Sequence, residues 1–324
     1  MWIPILLFIV GLVLLVKGGD WFVDGATGIA QRSHLPELLI GATVVSIGTT
    51  LPEVMVSASS AVLGHGEIAY GNAIGSVICN TALVAALTVA IRPGDVDRKS
   101  LRTPTLFFFA AAAVYMLTAY FYSFTRLIGI LLLLMFVVYM VVTVRQLQAP
   151  ASLGAAEEQQ AAEEAPSGKA WKDVVLLVVG AALIAFGSKL LVDNGTKIAE
   201  WLGVPESVIA LTFVALGTSL PELMTAITAL IKGHSALSLG NIVGANLFNL
   251  VLVSGVSVTL SPFPLPQEKT LAGMNASLVL DLPLMVCVMA LLTLPALKKG
   301  KLGRWQGIVL LAVYAAFCVF QFAV

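Results

Sequence analysis

GTTLPEVMVSASS, residues 48–60, lies inside a stretch from Leu35 to Leu63 that is apolar or small almost throughout. Two of its residues work against a helix whose only task is to span or to pack. Pro52 removes one backbone donor and frees a carbonyl about one turn earlier. Glu53 places a carboxylate among apolar neighbours, and an Asp at the centre of a membrane helix costs about 2.5–3.5 kcal/mol on insertion scales. A single such motif reads equally well as a tolerated kink with a glutamate near a helix end. A second copy, GTSLPELMTAITA, begins at Gly217, 169 residues after Gly48. The same offset pairs Trp2 with Trp171, Asp24 with Asp193, Pro36 with Pro205 and Glu37 with Glu206. It pairs Pro52 with Pro221, Glu53 with Glu222, Gly64-His65 with Gly233-His234, Gly71-Asn72 with Gly240-Asn241, and Asn80 with Asn249. One offset without a gap over this distance marks an internal repeat.

The solvent follows from composition. Of 324 residues, 59% are hydrophobic and 11% charged, with a mean hydropathy of +0.97. Soluble domains carry about 25% charged residues. Apolar runs of membrane-spanning length recur along the chain. They predict ten spans: 2–32, 36–63, 68–91, 103–122, 126–146, 171–199, 205–231, 236–260, 270–294 and 304–323. Residues 2–16 read as part of the first span, since no basic leader or cleavage site precedes them. Residues 148–170 differ in kind, rich in Ala, Glu, Gln, Pro and Ser, and read as a solvated linker. The expected architecture is an all-α polytopic membrane protein of ten transmembrane helices in two five-helix repeats, 1–147 and 171–324, joined by that linker. Five is odd, so the halves enter the membrane from opposite sides and the repeat is inverted.

Charge fixes an orientation. Arg32, Arg92, Arg98, Lys99, Arg102, Arg145, Lys169, Lys172, Lys232, Lys298, Lys299, Lys301 and Arg304 fall on one side, and only Arg126 and Lys269 in loops of the other. The bias places the linker in the cytoplasm and both termini outside. Net charge is zero, which gives no reason to expect a nucleic-acid partner. Cys79, Cys287 and Cys318 form neither a disulfide framework nor a zinc motif.

Pro52 and Pro221 are expected to break the second and seventh spans and to free carbonyls around Thr49 and Thr218, and inverted repeats with interrupted helices are the mark of secondary transporters, whose ion sites lie near the midplane. Two carboxylates related by a pseudo-two-fold axis repel unless protonated or bridged by a cation. Their neighbours are Thr49, Thr50, Ser76 and Asn80 in one half and Thr218, Ser219 and Asn249 in the other, all oxygen donors. Such a set suits a hard cation, and Ca²⁺ accepts six to eight oxygens in flexible geometry. Asn80 follows Ser76 by one helical turn, so both share a face of the third span. Glycines 71, 75, 240 and 244 would let helices approach closely near the ions, although ordinary small-residue packing explains them as well.

GTTLPE and GTSLPE, followed by GNAIGSVICN and GNIVGANLFN, resemble the two α-repeats of the cation/calcium exchanger superfamily, and more narrowly the prokaryotic sodium/calcium exchangers. The resemblance spans all ten runs. It implies an antiporter, not an enzyme, exchanging Ca²⁺ for Na⁺ by alternating access, with no cofactor, no protein partner and the lipid bilayer as surroundings. By resemblance Glu53 and Glu222 bind Ca²⁺, and Thr49 and Thr218 offer it backbone carbonyls. Thr50, Ser76 and Ser219 match Na⁺-site hydroxyls, and Asn80 a central amide. The first and sixth spans match helices that slide across the core. Two departures stand out. Asn249 occupies a position where potassium-dependent and some archaeal members carry Asp, which argues against K⁺ cotransport. Ala245 stands where the repeat and the family lead one to expect Ser, and one Na⁺ site loses a hydroxyl. The linker is too short for the Ca²⁺-sensing domains of animal members.

Other polar residues carry weaker expectations. Asp20 and Lys189 are repeat equivalents of opposite charge that could pair or face an entrance. Asp24 and Asp193 could attract cations or cap helices. Asp281 suits a packing role better than ion binding, His65 and His234 read as loop residues, and Glu37 and Glu206 suit helix starts. Ca²⁺/H⁺ exchange is the alternative within transport. A cation channel with an acidic ring is the alternative outside it.

Overall fold

The computed structural model describes residues 2–33, 35–148, 170–202, 217–267, 270–271 and 273–323. The linker, His34, Pro205, Glu206, Lys269 and the first part of the seventh span lie outside them. The described chain is nearly all helix: α1 Trp2–Arg32, α2 Glu37–Val62, α3 Gly66–Ile91, α4 Arg98–Tyr120, α5 Arg126–Gln148, α6 Ala170–Trp201, α7 Leu220–Lys232, α8 Ser235–Leu260, α9 Ser277–Lys299 and α10 Arg304–Ala323. Nine of these are long and apolar enough to cross a membrane among the described residues. α7 is the described end of the remaining span.

Two predicted starts move. The fourth helix begins at Arg98, not Thr103, because Asp97 caps it by accepting from the amides of Lys99 and Ser100. The ninth helix begins at Ser277, not Thr270. Ahead of it Thr270–Leu271 pairs with Met274–Asn275 in a small hairpin turned by Gly273 at φ +80°. Two other short ladders tie loops together. Gly94–Asp95 pairs with Lys301–Leu302 on the Lys/Arg-rich face, and Ser123–Phe124 with Phe263–Pro264 on the opposite face.

Burial sorts the helices. In α8, 83% of the apolar window is buried, against 17% in α10. α2, α3 and α8 therefore form the centre, and α1, α5, α6 and α10 present Trp2, Leu6, Val137, Val178 and Ile308 outward, as lipid-facing helices do. The main core gathers Tyr70, Tyr115, Phe124, Tyr139 and Phe248 between the central helices and α4 and α5.

α1 and α6 pack against each other along their lengths. Glycines permit the backbones to touch: a Cβ on Gly180 would lie 2.5 Å from the Phe22 amide nitrogen and 2.8 Å from the Gly18 carbonyl oxygen. At the Lys/Arg-rich end Arg32 Nε meets Asp173 Oδ2 at 2.5 Å. α8 crosses the start of α2 just as closely, since a Cβ on Gly240 would collide with the Leu38 carbonyl and one on Gly244 with the Ser46 hydroxyl. Gly71 and Gly75 do not share this role, because no described atom lies within 4 Å of a Cβ at either.

Candidate functional site

The motif at Pro52 folds differently in the two halves. Pro52 was expected to break the second span, but an α-helix runs through it from Ser46 to Val62. The Gly48 carbonyl, four residues back, loses its helical donor without ending the helix. The irregularity of α2 lies earlier, in a π-helical turn over Gly41–Val45. In the other half Thr218 and Ser219 form a turn, and α7 starts at Leu220 with Ser219 as its cap and Pro221 in its first turn. Pro is suited there, where no helical donor is required. Thr218 precedes the cap, so its carbonyl is not committed to the helical ladder. Glu222 sits in the first turn of α7, where the helix macrodipole favours a negative charge.

The nine candidate residues converge on one buried region. Glu53, Glu222, Thr50, Asn80 and Asn249 are all 0% exposed, and Thr49, Ser76 and Ser219 are also buried. Thr218 is half-buried. The Ser46–Val62 helix bearing Glu53 packs against the turn at Asn249–Val253, and α7, bearing Glu222, against the turn at Asn80–Ala85. Each half therefore packs its glutamate-bearing helix against the turn that the other half's asparagine opens. Both asparagines open π-helical turns at repeat-equivalent places, and such turns are frequent at functional sites. Thr49 neighbours Glu222, and Glu222 lies near Glu53.

These oxygens are unsatisfied within the protein. Thr50 Oγ1, both carboxyl oxygens of Glu53, Asn80 Oδ1, Ser219 Oγ, both carboxyl oxygens of Glu222 and Asn249 Oδ1 are buried without a hydrogen-bond partner. Native interiors pair nearly all such atoms, so eight unpartnered oxygens here, beside the unpartnered Asn80 Nδ2, fit a polar cavity that could take a cation. Asn249 spends its amide group on the Ala245 carbonyl at 3.0 Å, which turns Oδ1 free. Ala245 itself is fully buried and supplies no side-chain oxygen. Among the described residues no three His, Cys, Asp or Glu side chains cluster as a metal centre. The set is two carboxylates with neutral oxygens, fit for a hard cation.

Residues outside the expected set shape this region. Asn241 Oδ1 accepts from Thr49 Oγ1 at 3.2 Å, and the Ser46 hydroxyl is shared among the Gly41 carbonyl at 2.7 Å, the Asn241 carbonyl at 2.9 Å and Asn241 Oδ1 at 3.3 Å. Asn72 Nδ2 donates to Ser57 Oγ at 2.8 Å and to the Glu53 carbonyl at 3.4 Å. The repeat had matched these asparagines, and that pairing was the available signal; Ser46 and Ser57 have no hydroxyl mate and so carried none.

The charged residues at the Lys/Arg-rich face take partners that sequence did not suggest. Lys232, at the end of α7, reaches Asp24 Oδ1 at 2.7 Å and the Asp20 carbonyl at 3.0 Å. Asp20 is thus not paired with Lys189, which makes no ion pair among the described residues. His234 is more than a loop residue: its Nδ1 lies 2.7 Å from Glu37 Oε1 and joins the starts of α8 and α2. That hydrogen bond raises the His234 pKa above the ordinary histidine value, with burial opposing. Asp281 accepts from Gln321 Nε2 at 3.4 Å.

Comparison with known proteins gives a consistent result. The family model described as sodium/calcium exchanger protein matches residues 3–145 and 172–323. The chain is 28% identical to the sodium/calcium exchanger MaX1 of Methanosarcina acetivorans over 98% of each chain. It is 36% identical to an uncharacterized membrane protein of Methanocaldococcus jannaschii, over 95% of this chain and 94% of that one. Among solved structures, the sodium-calcium exchanger NCX_Mj superposes with a TM-score of 0.80 and 33% identity, covering 97% of both chains.

Proposed function

The chain belongs to the sodium/calcium exchanger protein family and is a multi-pass cation/calcium antiporter, and from that premise we propose that it exchanges Ca²⁺ for Na⁺ by alternating access. The observation that carries this reading is the set of eight buried oxygens without partners, centred on Glu53 and Glu222. Ca²⁺ is held by the two carboxylates with the backbone carbonyls of Thr49 and Thr218. Na⁺ ions use the same carboxylates with the hydroxyls of Thr50, Ser76 and Ser219. Asn80 and Asn249 contribute neutral amide oxygens between the two sets.

Sharing the carboxylates makes the transport an exchange. Glu53 and Glu222 are fully buried, and two bare carboxylates in a low-dielectric interior are costly. The protein changes facing when cations neutralise the pair and is held back when the pair is empty. Ca²⁺ leaving must therefore be followed by Na⁺ entering. Asn at both repeat positions, 80 and 249, limits the site to two carboxylates, which suits Ca²⁺ or Na⁺ without a further K⁺. Ala245 favours one second reading, in which protons replace Na⁺ at the site that lacks a hydroxyl.

The two halves, 1–147 and 171–324, act as the inverted units, and α1 with α6 slides across the central helices. The Lys/Arg-rich face lies in the cytoplasm, with the linker, and both termini lie outside the cytoplasmic membrane. The reading is tested at equilibrium with purified protein. Bound radioactive Ca²⁺ should be displaced by Na⁺ and not by K⁺. Binding that resists Na⁺ and yields only to acidification supports the proton alternative.

A further inference from the structure

Asn72 and Asn241 hold equivalent places in the repeat, 169 residues apart in Gly-Asn pairs of α3 and α8, yet they do not do equivalent things. Asn72 bonds within its own half, to Ser57 and the Glu53 carbonyl, just after Pro52. Asn241 bonds across to the other half, to Ser46 and Thr49, just before Pro52. Both therefore hold α2, one on each side of the proline. If the repeat were obeyed, Asn241 would hold the Glu222 carbonyl as Asn72 holds that of Glu53. Instead its amide nitrogen is buried without a partner. The helices beneath them differ in the same sense: α2 is continuous through Pro52, whereas α7 starts at Leu220, after the turn at Thr218 and Ser219, with Pro221 in its first turn.

Equivalent residues with different partners mark where the two halves have different conformations. In an inverted repeat, exchanging those conformations yields the state open to the opposite side. We propose that Asn72 and Asn241 are positioning residues of the alternation step, trading partners as the halves trade conformation. After the exchange Asn241 donates to the Glu222 carbonyl, and Asn72 accepts from the Thr218 hydroxyl. The exchange is not symmetric in energy. The repeat mate of Ser57 is Ala226, and that of Ser46 is Ala215. Two hydroxyl partners present in the observed state are thus absent from the other, and the chain rests with α2 held. The ion pair of Lys232 adds to this bias, since its repeat mate is Leu63.

The inference rests on alternating antiport but not on the identity of the coupling ion. Its test uses Ser57→Ala, which removes a partner from the observed state, and Ala226→Ser, which supplies one to the other. Neither residue belongs to the ion site. Apparent Ca²⁺ affinity is measured separately at the two faces of oriented vesicles. A population shift alters apparent affinity by the fraction of competent protein, so the faces move in opposite directions. One hydrogen bond's net worth gives a change of about two- to tenfold for each variant, in the same sense for both. Affinities that fall together at both faces, or an Ala226→Ser variant that moves neither, overturn the proposal. Wild-type protein without Ca²⁺ exchange at either face refutes the functional reading instead.

Discussion

Glu53 and Glu222 are repeat mates that reach the same buried region from different backbone settings, one within a helix continuous through Pro52 and the other in the first turn of α7. Both carboxyl groups are fully buried, and all four of their oxygens lack a hydrogen-bond donor. Two carboxyl groups so placed are tolerated only when protonated or bridged by cations.

Replacing either glutamate by Gln keeps the shape and removes one charged ligand. Glu53→Gln and Glu222→Gln should each lower Ca²⁺ transport ~100-fold or more, as Ca²⁺ affinity depends on ligand charge. The proteins should stay folded and lose the rise in melting temperature that Ca²⁺ gives the wild type. Near-normal flux in both variants would place the site elsewhere.

Ala245→Ser restores the hydroxyl that Ser76 has in the other half. It should lower the Na⁺ concentration for half-maximal exchange by about fivefold, the worth of one added ligand at roughly 1 kcal/mol. Apparent Ca²⁺ affinity without Na⁺ should hardly change. Unaltered Na⁺ dependence would show that residue 245 does not face a Na⁺ site.

His234 links pH to stability at the Lys/Arg-rich face. Its pKa is raised, first by the hydrogen bond with Glu37 and further by the charges of Glu37 and Asp24, with burial and Lys232 opposing. A raised histidine contributes stability that is fully present below its unfolded value and is lost as pH rises through the folded one. Melting temperature should therefore fall from mildly acidic to alkaline pH by more in wild type than in His234→Gln. Parallel curves for the two proteins would remove the link.

Much of this was legible from residue spacing. The 169-residue offset exposed the repeat, the apolar runs exposed the spans, and the acids within them pointed to the buried site. Asn72 and Asn241 were visible as a pair, but their partners were not. A repeat read from sequence treats both halves as equal, and a transporter at rest holds them unequal. The same reason explains Pro52, which was expected to break its helix and does not, although Pro221 stands at a real helix start. The π-helical turns at Asn80 and Asn249 left no trace in composition. Lys232 found Asp24 through tertiary packing across 208 residues, beyond any local pattern.

Orientation rests on the Lys/Arg bias and is checked by labelling. In a variant with Cys79, Cys287 and Cys318 replaced, a single cysteine at Ala155 should resist membrane-impermeant thiol reagents applied to intact cells with a permeabilised outer membrane. It should react once the cytoplasmic membrane is opened. Ready labelling in intact cells would invert the topology.

The central claim is coupling of Ca²⁺ to Na⁺, and ion flux in proteoliposomes tests it most directly. With purified protein reconstituted and Na⁺ loaded inside, dilution into Na⁺-free medium should drive Ca²⁺ uptake. That uptake should stop when the Na⁺ gradient is dissipated, and a proton gradient of equal size should not replace it. Uptake that follows the proton gradient and ignores Na⁺ would contradict the account.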